Sequence, residues 1–254
     1  MPSGSEVRER SYKSDAIVLR ARNLGEADKI YTLLTTERGK VDAVGKGVRR
    51  RGSRLAGRLE FANETSLRLH RGRNLDIIVD ADLVRANWST IVAPDAFATA
   101  HVILELVDAF CELDLAVPDV YRLTRGALAA LDGAADPSSL LPRFELRLLA
   151  ALGYAPATDG CVRCERPFDG IGGWADLEAG GLACAVCRPH RADAYPLAVE
   201  DVANFRGLAA ERGGALRPVA KATIAAARAA DAFVAWHLGR RPKAARLLEE
   251  LAHR

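Results

Sequence analysis

Aromatic residues make up only 6% of this 254-residue chain, and cysteine occurs five times. No stretch approaches the ~18 uninterrupted apolar residues that a membrane-spanning helix needs. The most apolar helical stretch, Val102 to Val107, is interrupted by Glu105. The start, MPSGSEVRERS, has no apolar run of the kind a secretory signal carries, so a cytoplasmic protein is expected. H-E-x-x-H, G-x-S-x-G and a glycine-rich dinucleotide fingerprint are all missing. His70, His101, His190, His237 and His253 are scattered, with no spacing that suggests a shared site. Nothing in the residue pattern calls for catalysis, and the expectation is a protein that is not an enzyme.

The few cysteines are not scattered. Four of the five form two pairs, Cys161-x-x-Cys164 and Cys184-x-x-Cys187, with nineteen residues between them. A C-x-x-C turn presents two thiolates to one ion, and zinc takes four such ligands tetrahedrally at roughly 2.3 Å. A spacer of this length lets a hairpin fold back to complete the set. One structural zinc is therefore expected on Cys161, Cys164, Cys184 and Cys187. A site closed by four thiolates keeps no open position for substrate. His190, three residues beyond Cys187, is an alternative fourth ligand. Cys111 falls on what reads as the apolar stripe of a helix and is expected in the core.

Charge is unevenly spread. Residues 1–85 hold 18 Lys/Arg against 12 Asp/Glu, a net +6, while residues 86–254 hold 18 against 21, a net −3. Between Arg38 and Arg58 stand eight basic residues and one acid, Asp42. Such a segment on a folded domain points to a polyanion, nucleic acid first. Gly45-Lys46-Gly47-Val48-Arg49-Arg50-Arg51-Gly52-Ser53 is not a phosphate loop of the nucleotide-hydrolase kind, which needs Ser or Thr after its lysine. It reads as an extended mobile loop whose guanidiniums fork onto phosphate oxygens. Only Tyr12, Tyr31 and Phe61 are available in this half as stacking platforms, so phosphate contacts should dominate, with little sequence preference. Both single- and double-stranded DNA are expected to bind, with marked salt sensitivity.

The first eighty-odd residues alternate at period two. Asp15, Ile17, Leu19 and Ala21 share a face; Lys29–Thr35 and Lys40–Gly45 flank a hairpin turn at Glu37-Arg38-Gly39. Leu59, Phe61, Thr65, Leu67 and Leu69 share the next face, and Leu75, Ile77, Val79, Ala81 and Leu83 the one after. Five half-buried antiparallel strands suit a small closed barrel, an OB-fold or, almost as well, an SH3-like barrel. Asp76, Asp80 and Asp82 fall on the opposite face of the last strand. They read as its solvent side, or alternatively as the carboxylates of a metal-dependent nuclease. From Asp95 the period turns helical, with a first helix closed by Val117-Pro118. Further helices are expected at about Val120–Leu131, Leu140–Leu152, Val199–Glu211, Val219–Leu238 and Lys243–Leu251. The fold class is thus α+β, with a barrel over 1–85, a helical domain over 86–254, and a zinc insertion at about 157–192. No internal repeat is visible.

Tyr12-Lys13-Ser14-Asp15-Ala16-Ile17-Val18-Leu19, Gly25-Glu26-Ala27-Asp28-Lys29, Glu37-Arg38-Gly39-Lys40 and Gly45-Lys46-Gly47-Val48-Arg49 together resemble the RecO family of bacterial DNA repair proteins. So do Phe144-Glu145-Leu146-Arg147 through Gly153-Tyr154, leading into Cys161, and Trp236-His237-Leu238-Gly239-Arg240-Arg241-Pro242-Lys243. The resemblance covers about residues 11–251. It departs from the family at Leu59-Glu60-Phe61, where a Pro-Phe is usual. It implies an N-terminal OB-fold, a helical C-terminal domain and an embedded zinc site. It also implies a non-enzymatic recombination mediator that anneals strands coated with single-strand-binding protein and, with RecR, helps load RecA onto gapped DNA. Carried onto this chain, Arg38, Lys40, Lys46, Arg49, Arg50 and Arg51, with Arg54 beside them, would hold DNA. An apolar groove with nearby Arg or Lys in the helical domain would take the tail of single-strand-binding protein. Some members lack the cysteines, so zinc is not the essential part of the family's function.

Overall fold

The computed structural model describes residues 11–86, 92–132, 134, 136–168, 170–189, 194–210 and 221–252. Its first five strands are β1 (Ser11–Leu24), β2 (Asp28–Thr35), β3 (Gly39–Gly45), β4 (Glu64–His70) and β5 (Asp76–Arg85). They close into a barrel in the order β1-β2-β3-β5-β4, with β4 returning to β1. All neighbours are antiparallel except β3 and β5, which run parallel from Ala43↔Asp76 to Gly45↔Ile78. This is an OB-like barrel. Ala16, Val18, Tyr31, Leu33, Ala43, Leu67, Leu69, Ile78 and Ala81 fill it, as inward positions of alternating strands must. Val48 and Leu59, from the segment between β3 and β4, plug the same core.

Three expectations are corrected here. The inward face of β5 is carried by Ile78 and Ala81, with Asp76 also buried, whereas Val79 and Leu83 are exposed. Alternation is real, but the register slips between Arg68↔Asp80 and Leu69↔Ile78, and a slip of one residue exchanges the two faces. The segment after β3 is not extended. It is a run of turns tied down by Arg49 N–H to the Ala27 carbonyl (2.9 Å), Gly47 N–H to Asp28 Oδ1 (2.7 Å) and the buried Val48.

The third correction concerns the first helix, α1 (Pro94–Phe110), which stops seven residues before Val117. Cys111 is buried but lies beyond the helix, in a strap that packs on the barrel. Here the chain leaves helical geometry because β3 offers a better partner. Asp114 adopts φ +59° and its N–H goes to the Lys40 carbonyl at 2.8 Å, while Leu113 bridges Lys40 in parallel. Gly39 must be glycine for this. Its φ is +66°, and a Cβ there would lie 1.7 Å from the Leu115 carbonyl oxygen.

The described residues divide into two units: those within Met1–Asn87 with Cys111–Tyr121, and those within Trp88–Phe110 with Arg122–Arg254. The second is built from α1, α2 (Pro118–Leu131) from Arg122 onward, α3 (Leu141–Ala151), α4 (Val199–Ala210), α5 (Ile224–Leu238) and α6 (Ala245–Ala252). Small residues Ala226, Ala229 and Ala230 on α5 are fully buried, and Phe144, Phe205 and Phe233 are wholly inside. The Phe205 and Phe233 rings lie 5.9 Å apart. Helix α5 starts at Ile224, where Thr223 caps it by accepting from Ala226 N–H (3.2 Å). The expected start at Val219 and the expected end at Glu211 lie outside the described residues, as does His190. Glu105 on α1 fastens the segment before α6, accepting from Arg240 Nη1 (2.8 Å), Lys243 N–H (2.9 Å) and Ala244 N–H (2.8 Å). Burial alone would raise its pKa, but these donors outweigh it and hold the carboxyl below its ordinary range. A three-stranded sheet, β7-β6-β8, made of β6 (Gly173–Asp176), β7 (Gly181–Cys184) and β8 (Tyr195–Leu197), lies between α3 and α4. No helix of the described residues is long and apolar enough to cross a membrane.

Candidate nucleic-acid interface and candidate metal centre

Strand β3 separates the basic residues into two groups. Lys46, Arg49, Arg50, Arg51 and Arg54 follow its last residue and are all exposed. Arg38 and Lys40 sit at its other end. The first group stands on the turns docked against the β1–β2 hairpin, where Arg49 Nη1 donates to the Gly25 carbonyl (2.9 Å). Lys46, Arg50, Arg51 and Arg54 make no ion pair or hydrogen bond through their side chains among the described residues. The Asp28 carboxylate accepts from Gly47 N–H and makes no ion pair with these side chains among the described residues. Cross-strand register adds Lys29, opposite Gly45, and the exposed Arg22, opposite Ile30. Neither was singled out from sequence. Only strand pairing, a non-local fact, sets Lys29 against the last residue of β3 and Arg22 one strand further along the same end of the sheet.

Arg38 is placed quite differently. Its Nη1 donates to the buried Asp76 carboxylate and to the Tyr12 hydroxyl, both at 2.6 Å, and its Nη2 to the exposed Asp114. Its guanidinium also lies over the Tyr12 ring, 5.1 Å from the centroid, with Arg71 5.5 Å away on the same ring. Burial first, and then the hydrogen bond to Asp76, push the Tyr12 phenol pKa well up, so it stays a neutral donor. Asp80 and Asp82, the other carboxylates of the nuclease alternative, stand away from Asp76 on the barrel exterior. Asp80 pairs with Arg68 (3.3 Å) and Arg58 (3.9 Å), and Asp82 with Arg58 (3.4 Å). The three carboxylates hold arginines and do not gather about a common point.

The cysteines do gather. The Sγ atoms of Cys161, Cys164, Cys184 and Cys187 all lie within 4.8 Å of one another. Among the described residues they are the one group of three or more metal-binding side chains brought together in this way. Cys164 and Cys184 Sγ are 3.8 Å apart, the edge of a tetrahedron whose centre is ~2.3 Å from each corner. The local backbone builds the turn: Cys161 N–H donates to the Arg166 carbonyl and Glu165 N–H to the Cys161 carbonyl, each at 2.8 Å. Glu165 takes φ +63° to do so. The hairpin β6–β7 delivers the second pair, and Cys184 N–H points at Cys161 Sγ (3.2 Å). Arg163 Nε to the buried Asp176 (2.6 Å) pins the first turn to that hairpin. Burial alone would raise the Cys161 thiol pKa, but the N–H donors of Cys184, Arg163 and Cys164 outweigh it and lower it to about 6. Cys187 is pushed up to about 12 by its hydrogen bond to Cys164, by burial and by the other thiols. A set that favours one thiolate and resists the next is what a central cation would relieve. These four residues fit a tetrahedral metal ion.

Comparison with known proteins agrees with both halves. The family described as Recombination protein O N terminal matches residues 10–87, and Recombination protein O C terminal matches residues 93–246. The chain is 38% identical to the DNA repair protein RecO of Nocardioides sp. over 235 residues, 90% of this chain and 95% of that one. It is 36% identical to the protein of that name from Cutibacterium acnes over 94% of this chain and 99% of that one. With that of Thermobifida fusca it shares 41% identity over 70% of this chain and 74% of the relative. An OB-like barrel with an exposed basic end, a helical unit holding a four-cysteine cluster, and similarity along nearly the full length place this chain in the RecO family of DNA repair proteins.

Proposed function

We propose that this chain is a non-enzymatic mediator of recombinational repair. It binds single- and double-stranded DNA by its phosphates and anneals complementary strands. With RecR it helps load RecA onto gapped DNA coated with single-strand-binding protein, in the cytoplasm and at the nucleoid. The observation that carries this reading is the row Lys46, Arg50, Arg51 and Arg54, exposed at one end of a closed barrel without internal carboxylate partners among the described residues. Arg49 holds the row in place and adds charge. Two strands repel each other as polyanions, and a dense set of guanidiniums lowers that repulsion without having to read bases.

Zinc on Cys161, Cys164, Cys184 and Cys187 is proposed as structural, since four thiolates saturate the ion and leave no position for a reacting water. It would hold the β6–β7 hairpin against the first knuckle. The arginine partners of Asp76, Asp80 and Asp82 weigh against the nuclease alternative, because each carboxylate already has a cation. The test is strand annealing with end-labelled complementary oligonucleotides, with and without added magnesium. Annealing in both conditions with intact strands is expected. Magnesium-dependent cleavage products, or no annealing at all, would overturn the proposal.

A further inference from the structure

A cavity of about 120 Å³ opens between the strap, the start of β3 and the β4–β5 turn, lined among others by Arg38, Arg73, Asn74, Asp42, Asp76 and Asp114. Its size admits several waters and hence a phosphate group, since one water needs only ~10–15 Å³ on this measure. The charges around it are not equivalent. Asp76 is buried and accepts from Arg38, from the Tyr12 hydroxyl (2.5 Å) and from Gly72 N–H (3.2 Å). Asp42 accepts from the Thr32 hydroxyl at 2.6 Å. Asp114 has one side-chain partner, Arg38 Nη2, and its own side chain is 60% exposed. Thus the Arg38 fork has an inner edge fixed by Asp76 and an outer edge covered by a carboxylate that water already reaches.

The middle of the strap, which carries Asp114, is exposed. Leu113 and Leu115, on either side of Asp114, are 56% and 54% exposed, so beyond the buried Cys111 the strap is not anchored by its leucines. Its ties include the buried Cys111 at its start, the Leu113–Lys40 bridge, the 2.8 Å bond to the Lys40 carbonyl and the seating on Gly39. Segments with few buried apolar contacts open at low free energy. Arg73 and Asn74 lie across the cavity, on the β4–β5 loop that OB-folds use for oligonucleotides.

We propose that this cavity is a second, gated phosphate subsite, in which Asp114 takes the place of a nucleic-acid phosphate on Arg38 until the backbone of a bound strand displaces it. Arg73 supplies the second cation and Asn74 an amide donor. The subsite lies at the end of β3 opposite the basic turns, so a strand engaging both would run along the barrel. This rests on the reading of the chain as a phosphate-binding DNA protein.

The test is fluorescence anisotropy of a labelled single-stranded oligonucleotide titrated at several salt concentrations. Asp114→Asn should tighten binding about two- to five-fold, the range in which exposed ion pairs compete. It should also steepen the salt slope by about 0.7, one additional phosphate contact. Arg73→Gln added to Asp114→Asn should reverse most of the gain; Arg73 is exposed, so this variant leaves the Arg38–Asp76 pair intact. Glu112→Gln removes the same charge from the strap without touching Arg38 and should change binding little. If Asp114→Asn matches the wild type in affinity and slope, or Glu112→Gln reproduces its effect, the gate is wrong while DNA binding stands. If the wild type does not bind the oligonucleotide, the underlying reading fails and the gate with it.

Discussion

Replacing Arg50 and Arg51 together with alanine isolates the phosphate charge of the basic turns. Arg49 is left in place because its Nη1 bonds the Gly25 carbonyl and its loss would loosen the turns themselves. Arg50 and Arg51 are exposed and make no side-chain bond among the described residues, so the folded state should hardly notice their removal. Exposed substitutions of this kind stay within about 0.5 kcal/mol each, so the pair should move the melting temperature by less than ~4 °C for a chain of this size. Each phosphate contact contributes about −0.9 to the slope of log affinity against log salt on duplex and about −0.7 on single strands. Losing two flattens the slopes by about 1.8 and 1.4. Over a fourfold rise in salt, the wild type should lose ~12-fold more duplex affinity and ~7-fold more single-strand affinity than the variant. Anisotropy titrations at four salt concentrations on three unrelated sequences measure this. Equal slopes for variant and wild type on both kinds of DNA would show that Arg50 and Arg51 do not reach phosphates. A loss confined to one sequence would indicate base readout instead.

If Cys161, Cys164, Cys184 and Cys187 hold a metal ion, Cys161→Ser combined with Cys164→Ser should abolish metal binding and lower the melting temperature, because metal affinity at such a site is largely folding free energy. Metal analysis and thermal melts check it, and a variant as stable as wild type that no longer binds DNA would reverse the assignment. Glu105→Gln should cost about 1–2 kcal/mol near neutral pH, measured by urea unfolding, by weakening three charge-assisted bonds. Since the folded Glu105 carboxyl titrates below its unfolded value, its contribution is present above the unfolded pKa, about 4.3, and is lost as pH falls through the folded one. The wild type and Glu105→Gln should therefore converge in acid; a difference that persists there would rule out the charge as the cause. Gly39→Ala forces a side chain into the left-handed region and against the Leu115 carbonyl, which should destabilise the barrel unit by at least about 1–3 kcal/mol. Unfolding curves identical to wild type would show that the strap does not need that close approach.

Local pattern carried much of this structure. Period-two alternation marked five strands, and the buried Leu67 and Leu69 of β4 lie on the face that alternation assigned them. Proline positions and helical periodicity located α2, α3 and α4 within a few residues. The spacing of Cys161, Cys164, Cys184 and Cys187 announced four thiols around one point, because a C-x-x-C turn is a local geometry and a nineteen-residue hairpin is nearly one.

Partners distant in sequence were not legible. Alternation says that neighbours point to opposite faces but not which face is inward, so Asp76 read as solvent-facing until pairing with β3 and β4 buried it. Arg38 read as one of a run of basic residues, and its partners 26, 38 and 76 positions away could not be seen in that run. Residues 111–117 read as the last turns of a helix, and only β3 could draw them out as a strap. Residue order alone set the local facts: strand and helix periods, the thiol set and a surplus of positive charge before Arg58. Tertiary pairing set which of those charges face solvent alone and which hold a carboxylate of the barrel unit. Ion-pair choice depends on distances of a few ångströms, and only closure of the barrel sets them.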